Sequence, residues 1–166
     1  MIKFRQLYES DIDEVFDLIQ TVGKEKEGDG TFAYVTDKNV YLNMIKNSYC
    51  VGCFLNDKLV SSFLTIEGKN ELEVCSSAGF DEEEISKTLM FETCQVYEKH
   101  RGNGLQVRLG KEIFKNIKCR YKHLLATVHP DNIASLKSLQ KLGFKIYKEA
   151  ELYGGLKRYI MRYDIK

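Results

Sequence analysis

The stretch Val96-Tyr97-Glu98-Lys99-His100-Arg101-Gly102-Asn103-Gly104-Leu105-Gln106 lies between an apolar run and a run of helical periodicity, and its reading decides the fold. Gly102 and Gly104, two residues apart, allow a tight turn whose successive N–H groups reach a ligand with no Cβ in the way. From Leu105 to Lys118, apolar Leu105, Leu109, Ile113, Phe114 and Ile117 alternate with Arg108, Lys111, Lys115 and Lys118 at the spacing of an amphipathic helix. Strand, glycine turn and helix N-terminus together suit a phosphate. The same letters also fit a plain strand-to-helix turn, so the rest of the chain has to decide.

The chain has 166 residues, 43% apolar and 30% charged, which is enough for one ordinary domain with a buried core. A formal net charge of +1 gives no bulk attraction to nucleic acid, although Lys99, Arg101, Arg108 and Lys111 place local positive charge beside the turn. The opening Met1-Ile2-Lys3-Phe4-Arg5-Gln6 has no apolar h-region, and no apolar run reaches membrane-spanning length. A soluble, cytoplasmic protein without a membrane partner is expected. Five cysteines in scattered apolar contexts fit reduced thiols. Cys50 and Cys53 have the spacing of a redox pair or half a zinc site. With no second pair and no ligand-spaced histidine, they read as small core residues of a buried strand, and no metal centre is expected.

In chain order, Ile2–Leu7 reads as a strand. Ser10 offers an N-cap to a helix carrying Ile12, Val15, Phe16, Ile19 and Val22, and Gly23 to Gly30 ends it as a polar loop. Thr36 can cap a short second helix. Tyr49–Leu55 and Leu59–Ile66 read as strands joined by a hairpin at Asn56-Asp57. Glu71–Cys75 reads as a weak strand, Asp81–Ser86 as the start of a short helix, and Leu89–Val96 as the strand into the glycine turn. His123–Val128 is a further strand, and Pro130 stands where a helix can begin. Ile133, Leu136, Leu139 and Leu142 keep the helical period until Gly143, and Phe144–Tyr147 and Tyr159–Ile165 are the last strands. The order predicts an α/β (α+β) fold, a mixed and mostly antiparallel sheet flanked by helices in a single domain, residues 1–166.

Read together, Arg101 to Gln106 and Val128-His129-Pro130-Asp131-Asn132-Ile133-Ala134-Ser135 running on to Lys141-Leu142-Gly143-Phe144 resemble the Gcn5-related N-acetyltransferase (GNAT) superfamily. The first segment is similar to that family's R/Q-x-x-G-x-G/A turn, and the second to its N-x-x-A/S…K-x-G-F helix. The resemblance implies acetyl-CoA as the cosubstrate. Arg101, Gly102, Asn103, Gly104, Leu105 and Gln106 would supply backbone N–H groups to its pyrophosphate. Cys94, Gln95 and Val96 would line the pantetheine arm as an added strand would, and Asn132 and Ser135 would face the thioester end. Asn132 reads equally well as an N-cap.

Three positions depart from the family pattern. Gln106 replaces a small residue, so its side chain must point away from the phosphates. Leu139 stands where many members carry a tyrosine acid, and Thr127 stands where some carry a glutamate.

The implied reaction is attack of an amine on the thioester, with a base to take the ammonium proton. Glu92, on the strand that would hold the thioester, is the first candidate, since a carboxylate within a sheet needs a reason; an ion-paired glutamate is the other reading. Tyr97, Tyr153 and His129 are reserves, and His129 also reads as a loop or capping residue. Tyr153-Gly154-Gly155 with Arg158 reads as an acceptor wall or a hairpin turn. Together with the segment Gly23–Tyr34, including Glu27 and Tyr34, it would suit a cationic amine. The acceptor is a small-molecule or peptide amine, and a homodimer is compatible with this reading. A non-catalytic acyl-CoA-binding domain of the same fold is the alternative.

Overall fold

Two glutamates that are far apart in sequence, Glu71 and Glu92, come to face one cavity because of how seven strands are ordered. The computed structural model describes residues 1–117 and 119–166. In chain order its elements are β1 (Ile2–Gln6), α1 (Ile12–Glu25), α2 (Lys38–Asn47), β2 (Val51–Leu55) and β3 (Lys58–Glu67), then α3 (Leu72–Ser77), α4 (Glu82–Ser86) and β4 (Thr88–Val96), and finally α5 (Leu105–Ile117), β5 (His123–Val128), α6 (Ile133–Leu142), β6 (Lys145–Leu152) and β7 (Leu156–Asp164). The sheet order is β1-β2-β3-β4-β5-β7-β6. Every neighbouring pair is antiparallel except β4 and β5, which run parallel. This is the mixed, mostly antiparallel sheet that the order of elements predicts.

The parallel pairing is short. It begins at Thr88↔His123 and ends at Phe91↔Ala126, while β4 runs on to Val96. Beyond Phe91 the edge of β4 that faced β5 is therefore open. Phe91 fills the base of the split, with ring centroids 5.2 Å from Phe63, 5.3 Å from Phe144 and 5.6 Å from Phe114 in edge-to-face contacts.

A second irregularity sits one residue further on. Leu64 pairs with Thr93 and Thr65 with Phe91, so Glu92 is the extra residue of a β-bulge. Phe91 and Cys94 pack on the α5 side of the sheet, whereas the bulge turns Glu92 toward Tyr41 and Tyr153 on the other side.

The two sheet faces have separate cores. Leu109, Ile113 and Ile117 of α5, together with Leu139 and Leu142 of α6, cover β4, β5 and β7 on one side. Each such side chain contributes about 1.5–3 kcal/mol by leaving water. Gly110 lets these helices approach closely: a Cβ there would stand 2.4 Å from Leu142 Cδ1. Val15, Leu18, Ile19 and Val22 of α1 pack with Tyr41, Met44 and Ile45 of α2 on the other face. Cys50 and Cys53 are fully buried in these cores, as the strand reading holds, and burial pushes the Cys50 thiol up to about 12.

Four local expectations are corrected. Ser10 does not cap α1; Asp11 occupies the cap position and is buried, with Arg5 forking onto both of its carboxylate oxygens at 2.8 Å. Helix α1 runs through Gly23 to Glu25, and Gly23 is there for space, since a Cβ would lie 2.6 Å from the Tyr34 ring. The α2 cap is Asp37 rather than Thr36, its carboxylate accepting from Asn39 N at 3.0 Å. Residues 71–75 are not a strand: Val74, Cys75 and Ala78 form the buried stripe of α3, while Leu72 is exposed. The helix end expected at Lys118 lies outside the described residues.

The remaining elements match the periodicity closely. Asn56 and Asp57 take φ of 50° and 66° in the β2–β3 turn, the pair of positive φ values of a tight hairpin. Gly143 ends α6 at φ 102°.

Candidate acetyl-transfer site

The split between β4 and β5 opens into a cavity of about 780 Å³. It runs from the glycine turn and the start of α6 on one face to α3, Tyr34 and the β6–β7 turn on the other. Cys94, Gln95 and Val96 line its middle along the open edge of β4. An extended ligand with amide groups can pair with such an edge as a neighbouring strand would. Gln95 is almost fully buried; its Nε2 donates to Thr93 Oγ1, and its Oε1 has no donor among the described residues.

At one end stands the turn. Gly102 and Gly104 have φ of 81° and 66°, and nothing stands within 4 Å of where a Cβ would be. Both line the cavity, as do Arg101, Leu105 and Gln106. The backbone of α5 begins at Leu105, so the turn delivers the helix N-terminus to the cavity. Arg101 holds the turn in place: its Nε donates to Val96 O at 3.0 Å and its Nη2 meets Glu25 at 2.6 Å, reaching α1 across the chain. Asn103 is not on the cavity. Its side chain donates to His100 O at 3.0 Å and Arg101 O at 3.3 Å, inside the turn.

Gln106 resolves the irregularity in the turn. Its Nε2 donates to Ser135 Oγ at 3.2 Å, so it leans toward α6 and ties the two motif segments together. Asn132 caps α6, its Oδ1 accepting from Ser135 N at 3.3 Å, and it also lines the cavity. The N-cap reading of Asn132 is the one the hydrogen bond shows. His129 accepts from Asp131 N on Nδ1 at 3.0 Å, which is a loop-capping role at the cavity margin.

The opposite end is acidic and aromatic. Glu92 and Glu71 both line it. Removal from water, and then the nearby Glu71 charge, raise the Glu92 carboxyl well above the usual carboxylate range. Glu71 is raised for the same first reason, with Glu73 beside it. No cation among the described residues pairs with either. Tyr153 lies against this pair, its hydroxyl 3.2 Å from Thr127 Oγ1, and its phenol is raised by burial and by Glu92. Its backbone N–H donates to Glu73 at 2.9 Å, and it sits at φ 55° in the β6–β7 hairpin turn. The segment is the hairpin turn of the second reading, and its Tyr153 lines the cavity.

Two expected acceptor or catalytic residues are not on this cavity. Tyr97 faces a different groove, where its hydroxyl donates to Asp17 at 2.8 Å; burial and that carboxylate push it up to about 12. Glu27 is exposed to solvent, while Tyr34 from the same loop lines the cavity. Residues that the sequence reading did not select are Glu71, hidden by the mistaken strand assignment, and Tyr41, read only as part of a helix. The signal for Glu71 was the helical stripe Val74, Cys75, Ala78 behind it.

A family model described as FR47-like protein matches residues 86–153, from the start of β4 through α5 and α6 to the β6–β7 turn. No curated protein matches the chain. Among solved structures, an acetyltransferase of the GNAT family from Streptococcus pneumoniae superposes with a TM-score of 0.74, covering 100% of each chain at 20% identity. The fold is that of the GNAT acetyltransferases. An N-acetyltransferase from Staphylococcus aureus Mu50 gives a TM-score of 0.75 at 15% identity, over 100% of this chain and 99% of its own. Arabidopsis thaliana NAA60, solved in complex with acetyl-CoA, gives 0.73 at 16% identity, over 99% and 100%. The split sheet and the glycine turn thus lie on a GNAT scaffold that spans the whole described chain.

Proposed function

We propose that residues 1–166 form one N-acetyltransferase domain, which moves an acetyl group from acetyl-CoA to a primary amine of a small molecule or peptide. The observation that carries this reading is the bulged Glu92, whose carboxylate stands where the open edge of β4 meets the acidic, aromatic end of the cavity. The residues fit acetyl-CoA on their own chemistry. The glycine turn offers N–H groups and a helix N-terminus for the pyrophosphate, and the cavity has the size of a small-ligand site. Gln95 Oε1 is an acceptor awaiting a donor, which an amide of the pantetheine arm would supply.

In this reading Glu92 takes a proton from the acceptor's ammonium group, and its raised pKa matches it to that task near neutral pH. The freed amine nitrogen bonds to the acetyl carbon, the C–S bond breaks, and coenzyme A leaves as a thiolate that takes up the proton the nitrogen sheds as the amide forms. A thiol with a pKa near 8.5, like that of cysteine, needs no strong acid in order to leave. This accommodates Leu139, which is a buried core residue. Transfer is direct rather than through the protein. Burial pushes the Cys94 thiol far up, so at the open edge it is a neutral thiol and not a nucleophile.

The second reading, an acyl-CoA-binding domain without catalysis, is motivated by Leu139 and Thr127, which stand where an acid and a base are expected. Thiol release from acetyl-CoA across a panel of amines separates the two. Turnover that is lost in Glu92→Gln supports transfer, whereas tight acetyl-CoA binding with no turnover on any amine supports the binding domain. A cytoplasmic setting accords with five cysteines that are all free thiols.

A further inference from the structure

The acceptor end of the cavity holds a second charge that the transfer chemistry does not use. Arg158 of β7 lines it and is only 5% exposed. Three arginines more exposed than Arg158 are nevertheless matched: Arg5 by Asp11, Arg101 by Glu25 and Arg162 by Asp164. Arg158 has no such partner. Its Nη1 donates to Lys157 O at 2.7 Å, and no carboxylate among the described residues pairs with it. A guanidinium removed from water without a counter-charge is unfavourable, and burial accordingly lowers the Arg158 pKa. The cavity that Arg158 lines is where a counter-charge could meet it.

Strand β5 separates β4 from β7, so Glu92 and Arg158 stand on strands either side of β5, and both line the same cavity. Arg158 shares the face of Ile160, which packs with Val74 and Cys75 of α3, and so it sits away from the glycine turn on the α5 face. The phosphates of a cosubstrate held at that turn would not reach it. Tyr153 stands between the two, close enough for its phenol to feel both Glu92 and Arg158.

Resting on the reading of this cavity as an amine-acetylation site, we propose that the acceptor is an amino-carboxylate. Its ammonium group lies toward Glu92 and Glu71, and its carboxylate is held by the Arg158 guanidinium. The planar fork of arginine suits a carboxylate, and Tyr153 with Tyr34 would enclose the carbon skeleton between them. A simple diamine would bring its second cation against Arg158, and at a protein N-terminus the carboxyl of the first residue is tied up in a neutral peptide bond.

The test compares L-amino acids, their amides and the matching decarboxylated amines as acceptors, by thiol release from acetyl-CoA. Wild type should prefer the carboxylate form by about 10- to 100-fold in kcat/KM, as expected for a hydrogen-bonded charge pair. Arg158→Gln should raise KM for that form to the level of the amide with kcat little changed, and Arg158→Lys should restore part of the preference. Folding is read separately: removing an unpaired buried charge should leave Tm unchanged or raise it. Binding of N-acetyl-L-amino acids and of their amides to the coenzyme A-loaded protein, by calorimetry, gives the same comparison without turnover. Equal use or equal binding of acid and amide, binding of neither, or a preference that survives Arg158→Gln would overturn the proposal. Failure of acetyl-CoA itself to bind would instead overturn the transfer reading, and the preference is then read from the N-acetyl-amino acids with the unloaded protein.

Discussion

Gln106 Nε2 donates to Ser135 Oγ at 3.2 Å, joining the first turn of α5 to the first turn of α6 over the cavity. This contact ties together the two helix N-termini that frame one end of the cavity. Gln106→Ala should weaken acetyl-CoA binding by about 3- to 10-fold, the range of one lost neutral hydrogen bond. It should leave Tm nearly unchanged, because neither residue is buried. Calorimetry with acetyl-CoA and a thermal melt check both parts; unchanged affinity would mean that the bridge has no bearing on the site.

Gly104 at φ 66° lies in a backbone region that valine enters at a cost of about 1–3 kcal/mol, and its missing Cβ faces open space. Gly104→Val should therefore fold, with a circular dichroism spectrum like that of wild type, yet lose acetyl-CoA binding by at least about 100-fold, since the turn must shift. Retained affinity would sink the assignment of the turn as the phosphate cradle.

Glu92 has a folded pKa above its unfolded value, so the native state binds the extra proton. Stability is then full below the ordinary carboxylate pKa and falls as pH rises through the raised one. Activity runs the other way, growing over the same window as the base is freed. Glu92→Gln should lower kcat, remove the acidic limb of the kcat profile and raise Tm at alkaline pH relative to wild type. A Tm that fell in the variant at every pH would argue for a structural glutamate.

Asp11 has the opposite sign. The Arg5 hydrogen bonds hold its carboxyl below the usual range against the opposing effect of burial. Its stabilisation is present above the unfolded pKa and is lost as pH falls through the folded one. Asp11→Asn should destabilise by about 2–3 kcal/mol at neutral pH, less than a fully buried pair because Arg5 is partly exposed. The wild-type and variant melting temperatures should converge toward pH 3.

Gly23 is inside α1, where alanine would by itself favour the helix by about 1 kcal/mol. The Tyr34 ring at 2.6 Å from the added Cβ must move, and Tyr34 lines the acceptor end. Gly23→Ala should thus raise KM for the acceptor more than it changes Tm, as steady-state kinetics on the best amine would show.

The strands and long helices were legible because their apolar residues keep one period throughout: Leu109, Ile113 and Ile117 in α5, and Leu124 to Val128 in β5. Glu71–Cys75 failed because five residues containing two apolar positions two apart satisfy a strand, and only Ala78 further on reveals the helical stripe. The glycine-turn end of the cavity was legible because a glycine turn and an N-cap are local. The opposite end was legible only in part: Glu92, Tyr34, Tyr153 and Arg158 stand out in the sequence, whereas Glu71 and Tyr41 meet Glu92 only through the sheet order, which brings α3 and α2 around one end of β4. Tyr97 was misplaced because it stands just past the end of β4, where its hydroxyl donates to Asp17 of α1 in a separate groove.

The bulge at Glu92 has a consequence for any attempt to rebuild the protein. Up to Phe91 the strand is bonded on both sides and belongs to the scaffold; from Glu92 onward one side is vacant and belongs to chemistry. The two regimes are joined by a single surplus peptide unit, so a deletion of one residue in β4 would leave composition and hydropathy almost untouched. It would turn the thiol of Cys94 and the amide of Gln95 to opposite faces of the sheet. Redesign of this site is a question of counting residues before it is one of choosing them.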